Sequence, residues 1–325
     1  MIGFVRKTVF YLVTIWAAVT LNFFIPRLMP GDPVQSMIVR YQGQLSPDAI
    51  DAIRKQLHLD DQTSMWHQYW ASWWSLLHGD LGLSFRYYPT PVTSMIAQAL
   101  PWTIVLVGLA TIIAFTLGSL SGVLLGWHRG AWSEGLIPLT TFFSAVPYFW
   151  IALVFIFFFG VKLNILPMYG SYDPGLSPGL TSAFIVSALR HAIMPALTIV
   201  ISSIAGWILS MRNMMITVSS EDYVTVAQAK GLSERRVMFN YAARNAILPQ
   251  ISGFALSLGF VVSGALVMEQ VFSYQGIGFM MLSAVGSKDY PLMQGIFLVI
   301  TLSVILANIL ADIIYALLDP RTRRD

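Results

Sequence analysis

The sequence predicts an all-α membrane protein that crosses the bilayer six times. Three observations predict it. Hydrophobic residues make up 56% of the 325 and charged residues only 11%, less than half of the roughly 25% carried by soluble domains. Most of the surface must therefore face lipid, in keeping with a mean hydropathy of +0.67. Six apolar runs reach about the 20 residues needed to cross the hydrocarbon core: Val9–Leu28, Thr103–Trp127, Ile137–Val161, Ala192–Met211, Ile251–Gln270 and Leu292–Leu317. Lys and Arg gather at the edges of these runs, mostly on one side. A net charge of +3 spread in this way does not mark a nucleic-acid partner. The absence of cysteine excludes disulfides, thiolate nucleophiles and Cys-ligated metals.

The first run follows Arg6 and Lys7 and leads into Pro26-Arg27. It is too long for a signal-peptide core and lacks a small-residue cleavage site, so it reads as a retained transmembrane helix. Met29–Pro101 then forms a small helical extracytoplasmic module. Ser46-Pro47 is a helix start, with Ser as cap and Pro in the first turn, and that helix runs through Ala49, Ile50, Ile53 and Leu57. A second helix carries Trp66, Trp70, Trp73, Trp74 and Leu77 on one face. That face suits the headgroup level, where Trp prefers to sit, or a surface or access gate for an external partner. The expected domain order is residues 1–28, the first span; 29–101, the outer module; 102–318, a five-span core with a cytoplasmic loop at 219–250; and 319–325, a tail.

Orientation follows from the cations. With a cytoplasmic N-terminus, the inner segments hold eleven of the nineteen: Arg6, Lys7, Arg129, Arg212, Lys230, Arg235, Arg236, Arg244, Arg321, Arg323 and Arg324. The short outer loops hold Lys162, Arg190 and Lys288. The rest lie in the long first loop, which the positive-inside rule does not count. Both termini and the polar insert Glu221–Gln250 are thus expected in the cytoplasm.

That insert is drawn as two helices. Ser219 and Ser220 can cap a helix that begins with Glu221 and Asp222, carries Tyr223, Val226, Ala227 and Lys230, and stops at Gly231. Ser233 can cap a second, with Glu234 in its first turn, running through Val237, Met238, Tyr241 and Ala242. Leu248-Pro249 marks a corner into the fifth span. The segment is either a docking surface or an amphipathic connector.

The chemistry that is missing narrows the class. No span has an ionisable residue near its centre, which disfavours an ion-coupled transporter. No Lys sits in a Gly-Lys-Ser/Thr phosphate loop. His58, His67, His78, His128 and His191 lie in loops or at span edges without ligand spacing, and no Ser-His or paired-Asp arrangement falls within the bilayer. That disfavours an intramembrane enzyme or a metal site. A channel would leave the insert without a purpose. Asn22, Asn308 and Asp312 suit interhelical hydrogen bonds, with path lining as the functional alternative.

Within the insert, Asp222, Tyr223, Val224, Ala227, Ala229, Lys230, Gly231, Leu232, Ser233, Arg235, Arg236, Val237, Arg244, Asn245, Ala246, Leu248 and Pro249 stand at one fixed spacing. This pattern resembles the cytoplasmic EAA loop of ABC-transporter permeases of the peptide/nickel/oligosaccharide import family. Thr225 and Gln228 stand where that family usually has Arg. The likeness extends to Pro30-Gly31-Asp32-Pro33, Gly79-Asp80-Leu81-Gly82-Leu83-Ser84, Ala145-Val146-Pro147, Phe149-Trp150, Leu166-Pro167 and Pro195-Ala196-Leu197-Thr198. It continues through Glu269, Val271-Phe272-Ser273, Gly276, Gly278, Asp289-Tyr290-Pro291 and Asp319-Pro320-Arg321, with Gln275 replacing the usual Pro.

The resemblance implies the type I ABC importer permease fold and the B-type subunit of a dipeptide/oligopeptide system. It implies a second homologous permease, two ATP-binding cassette ATPase subunits and an extracytoplasmic solute-binding protein as partners, all at the cytoplasmic membrane. It implies ATPase-coupling residues at Tyr223, Ala227, Lys230, Gly231, Leu232, Arg235 and Pro249, with Gly231 setting the corner and Pro249 transmitting it to the fifth span. It implies no catalytic residue, metal or cofactor on this chain, with ATP and Mg held by the partner ATPases. The family handles di- and oligopeptides, nickel complexes, glutathione and oligosaccharides, and family frequency favours peptide.

Overall fold

Among the described residues, four helices are long and apolar enough to cross a membrane. The computed structural model describes residues 2–29, 64–128, 130–262 and 266–318. The expected Ser46-Pro47 helix, the Pro30–Pro33 and Asp319–Arg321 motifs, His58 and Arg129 lie outside these residues. Among the described residues the elements are helices joined by turns, with one isolated bridge between Leu83 and Pro91. We label them α1 (Ile2–Arg27), α2 (Met65–Leu77), α3 (Val92–Trp127), α4 (Ala131–Ala145) and α5 (Tyr148–Phe155, continued by a π-helical turn over Ile156–Lys162). Next come α6 (Ser182–Ser219), α7 (Asp222–Ala229) and the single turn α8 (Glu234–Arg236), followed by a π-helical stretch over Val237–Ala243. The chain closes with α9 (Arg244–Val261), α10 (Leu266–Val271), α11 (Ile277–Ser287) and α12 (Tyr290–Leu318).

The four long apolar helices are Val9–Arg27, Val92–Trp127, Ser182–Ser219 and Tyr290–Ala311. The expected third span is a broken pair, Gly135–Ala145 and Tyr148–Lys162, bent by 90°. Pro147 causes the break: it has no N–H to give and biases Val146 toward extended backbone. Of the expected fifth span, the described residues give α9 up to Val261 and α10 from Leu266, and residues 263–265 lie outside them. Helix α3 starts at Val92 rather than Thr103 and carries Pro101 within it. Helix α6 runs well beyond the expected Ala192–Met211 at both ends.

The chain divides into two compact units, Met1–Trp102 with Gln275–Ile305, and Thr103–Tyr274 with Leu306–Asp325. In the first, α2 packs on the end of α1. The Tyr69 hydroxyl and Thr20 Oγ1 share a hydrogen bond of 2.8 Å, and the Tyr69 ring meets both Phe23 and Phe24. Trp66, Trp70 and Trp74 remain about two-thirds exposed along the outer face of α2. The core of this unit joins Val92, Ile96, Ile277, Met281, Leu292 and Ile296. Asp289 is fully buried beside it. It accepts from the Ser84 hydroxyl, from the Arg86 N–H at 3.0 Å and from the Leu292 N–H at 3.3 Å. One carboxylate thus fixes the turn before α3 and caps α12.

The second unit is organised around α3 and α6. Gly118, Gly122 and Gly126 recur every four residues on α3 and face α6 directly. A Cβ added at Gly122 would stand 2.6 Å from Met211 Cβ and 2.7 Å from the Ile208 carbonyl oxygen. At Gly118 it would stand 2.5 Å from Trp207 Cβ, and at Gly126 2.5 Å from Met215 Cβ. Only hydrogen fits at these positions, and the two backbones approach closely along about two turns. Such small-residue seams are how helices associate where lipid removes the hydrophobic driving force. Phe115 adds a stacked contact with Phe254 on α9, 4.3 Å between centroids, and an edge contact with Trp207 on α6.

Candidate coupling segment

The insert is carried on a helix too long for the membrane. Helix α6 has 38 residues, about 57 Å at 1.5 Å per residue, against a hydrocarbon core of ~30 Å. It is therefore longer than the core is thick, and α7 follows its C-terminal end. Ser219 and Ser220 do not cap α7 as expected. Their hydroxyls donate back to the Ile216 and Thr217 carbonyls and close α6 instead. Glu221 takes the capping position of α7 without a side-chain bond, and Asp222 supplies the acidic first turn that complements the helix dipole.

Helix α7 has two distinct faces. Val224 and Ala227 are buried and belong to one apolar cluster with Met211, Met215, Val218, Val237, Met238 and Ala242. Tyr223, Thr225, Val226, Gln228, Ala229 and Lys230 face outward, with Val226 51% and Tyr223 39% exposed. Gly231 ends the helix with φ +72°, the left-handed stop that glycine adopts without strain. A Cβ there would meet nothing within 4 Å, so the requirement is conformational and not steric. Lys230 is the last right-handed residue, and Leu232 is half-buried against the same apolar cluster.

The second arm differs from the expected plain helix. After the single turn of α8, Val237–Ala243 is π-helical before α9 resumes regular geometry. Such widened turns concentrate at functional sites. Glu234 does not bond within its own helix turn. Its carboxylate accepts from Trp127 Nε1 at 2.9 Å and stands 3.7 Å from His128 Nδ1, tying this arm to the end of α3. Arg235, Arg236 and Arg244 are exposed and line grooves along the outer surface of the arm. Pro249 makes no corner: it lies inside α9 and is exposed. The adjacent Gln250 is buried and donates to Ser210 Oγ, which locks α9 to α6.

Of the seven residues expected to couple, Tyr223, Lys230, Gly231 and Arg235 therefore lie on the outer surface, with Leu232 at its edge. Ala227 points into the molecule, and Pro249 sits apart on α9. The expected coupling set omits Val226, the most exposed large apolar residue of α7. Sequence reasoning also missed the glycine seam, whose signal is the spacing Gly118-x3-Gly122-x3-Gly126.

Glu269 forms a separate buried polar centre in this unit. It and Thr103 are fully buried, and Thr103 Oγ1 donates to Glu269 Oε1 at 2.7 Å. The Tyr274 N–H donates to the Glu269 carbonyl at 2.7 Å. Burial, and then the nearby Glu269 carboxylate, push the Tyr274 phenol well above its ordinary value of about 10. Among the described residues no group of three His, Asp or Glu is placed to hold a metal ion.

Residues 114–324, from mid-α3 onward and including the whole insert, match the family described as binding-protein-dependent transport system inner membrane component. The chain belongs to that family. It is a permease component of an ABC transport system, embedded in the membrane. The permease is 30% identical to the dipeptide transport system permease protein DppB of Escherichia coli, over 99% of each chain. It is 30% identical to the oligopeptide transport system permease protein AppB of Bacillus subtilis, over 98% of each. It is 34% identical to a protein of Brucella abortus whose name assigns it to a peptide transport system, over 94% of this chain and 93% of that one.

Proposed function

We propose that this permease forms half of the path by which an ATP-driven importer carries di- or oligopeptides across the cytoplasmic membrane. The observation that carries the reading is α7, a short helix that follows the end of α6, with one face buried in its own bundle and Tyr223, Val226 and Lys230 presented outward. An ATPase subunit receives that outer face in a groove. Ala227 and Val224 do not touch the ATPase; they fix α7 to α6 so that its displacement moves the bundle. Gly231 permits the turn into the second arm, and Glu234 returns that arm to α3. Closure of two ATPases around ATP would move α7, and the close glycine seam between α3 and α6 would carry the motion into the membrane as one rigid pair.

The remaining parts follow the same reading. Both termini and the insert face the cytoplasm, in line with the cation distribution. The chain crosses the membrane six times, with 29–101 as an outer helical module and 102–318 as the permease core. A second homologous permease completes the path, two ATPases power it, and an external binding protein delivers substrate. The chain itself is non-catalytic, with ATP and Mg on the ATPase subunits. Peptide is chosen over oligosaccharides and metal complexes because both the dipeptide and the oligopeptide permeases align over nearly the whole chain. The test is purification of tagged permease from its native membrane in mild detergent, with intact-mass analysis of the complex and an ATPase screen. A second permease and ATPase subunits, with ATPase stimulated by binding protein loaded with peptide, are expected. Stimulation by an oligosaccharide or a nickel complex alone would reassign the substrate, and a homo-oligomer without ATPase would refute the reading.

A further inference from the structure

A cavity of about 190 Å³ lies in the first unit, between the end of α1, helix α2 and the start of α12. Two side chains on its wall carry an amide nitrogen that is buried and has no hydrogen-bond partner: Asn22 Nδ2 on α1 and Gln294 Nε2 on α12. A buried donor without an acceptor costs its full desolvation penalty. Two such donors on one cavity mark a place where an acceptor-rich group belongs. Arg27 lines the same cavity, with its guanidinium 3.6 Å over the Phe23 ring and Nη1 donating to the Phe23 carbonyl at 2.9 Å. Asp80, also on the wall, has Oδ1 turned to the Gly82 N–H at 2.8 Å. Among the described residues the wall thus brings together a guanidinium, a carboxylate and two unpartnered amide nitrogens, beside His67, Gln68, Ser72 and Ser75.

The surroundings suit the headgroup level. Trp66, Trp70 and Trp74 are about two-thirds exposed on α2, and Trp favours the headgroup layer. The apolar residues of α1 that precede the cavity, Trp16 and Leu21 among them, are exposed as a lipid-facing helix requires. A cavity beside helices of this kind suits the level at which a phospholipid carries its phosphate and its terminal charge.

We propose that this cavity seats the headgroup of a zwitterionic phospholipid of the phosphatidylethanolamine type. Asn22, Gln294 and Arg27 donate to its phosphate oxygens, and Asp80 faces its ammonium. The bound lipid satisfies both amides and staples α1 and α2 to α12. The seat gives a permease subunit a lipid requirement unrelated to substrate.

The test is native mass spectrometry of the full-length permease in mild detergent after delipidation. Phosphatidylethanolamine, phosphatidylglycerol and the free zwitterion dialanine are titrated separately. Wild type should retain one phosphatidylethanolamine in a saturable manner. Asn22→Leu with Gln294→Leu should weaken it by roughly tenfold or more, since two charge-assisted bonds are lost. That pair should not unfold the protein, because apolar groups replace unpaired polar ones. Should it fail to fold, the nearly isosteric Asn22→Asp, which sets a carboxylate against the phosphate, must show the same loss. Asp80→Asn should abolish the preference over phosphatidylglycerol. Equal lipid retention in wild type and variants would overturn the proposal, as would dialanine binding in place of lipid. The result is read on this chain alone, so it stands or falls apart from whether ATPase subunits co-purify.

Discussion

Gly122→Ala is the smallest change that probes how the insert is joined to the membrane helices. The added Cβ would stand 2.6 Å from Met211 Cβ, 2.7 Å from the Ile208 carbonyl oxygen and 3.1 Å from the Arg212 N–H nitrogen. Two of these three neighbours are backbone, so no rotamer change relieves the clash, and α3 must move away from α6. Overpacking of this kind costs about 1–3 kcal/mol. Alanine returns about 1 kcal/mol of helix propensity, leaving a net loss of about 0–2 kcal/mol, at the upper end because the obstruction is backbone. At roughly 2–4 °C per kcal/mol for a unit of this size, thermal unfolding of the purified permease should fall by a few degrees. Gly206→Ala is the internal control. Gly206 lies on α6, and a Cβ there meets nothing within 4 Å, so the same substitution should be neutral or stabilising by up to ~1 kcal/mol. Adding Gly118→Ala to Gly122→Ala should cost less than the two singles together, because the seam is already open. Gly122→Ala with undiminished stability, or Gly206→Ala equally harmful, would refute the close seam.

Gly231→Asn should keep transport near wild type, since Asn tolerates left-handed backbone, whereas Gly231→Val should uncouple ATP hydrolysis from uptake; full uptake in the Val variant would contradict the turn's role. Tyr223→Ala should leave stability within about 0.5 kcal/mol, as exposed sites do, yet lower peptide-stimulated ATPase activity. Ala227→Leu should instead lower the thermal midpoint, because Ala227 is 2% exposed within its own bundle. Thr103→Val should destabilise by about 1–3 kcal/mol by removing a donor to the buried Glu269 carboxylate. The raised Tyr274 value sets a pH window. The folded state holds the phenolic proton more tightly than the unfolded state, so that stabilisation is complete below about pH 10 and is lost as pH rises beyond it. Thermal midpoints followed from pH 7 to 11 should fall only at the alkaline end, and Tyr274→Phe should lessen that fall.

Much of the architecture was legible because lipid imposes long apolar runs. Helices α1, α3, α6 and α12 overlap four of the expected spans. The insert was legible as two arms with a glycine stop, and Gly231 takes the left-handed geometry expected of it. The misses have physical causes. Pro147 was visible, but composition cannot say whether a proline kinks a span or breaks it by 90°. Pro249 was read as a corner, yet a membrane helix accommodates proline within it. The family resemblance puts Ala227 among the coupling residues, whereas it is 2% exposed within its own bundle. Val224 and Ala227 lie three apart, and that spacing is the inward stripe of a short amphipathic helix. The π-helical stretch at Val237–Ala243 has no sequence signature that distinguishes it from α-helix. The buried pairing of Thr103 with Glu269 spans 166 residues, a separation that periodicity cannot bridge.

The most direct test of the account places a photocrosslinking amino acid at Val226, on the outward face of α7, and at Val224 on its buried face. Intact-mass analysis of the native membrane then identifies what each position touches. A crosslink from Val226 to an ATP-binding subunit, changed in yield by ATP, is expected, with only intramolecular products from Val224. A Val226 position that captures nothing, in a membrane where peptide uptake is running, would contradict the claim that this helix is where the permease meets its motor.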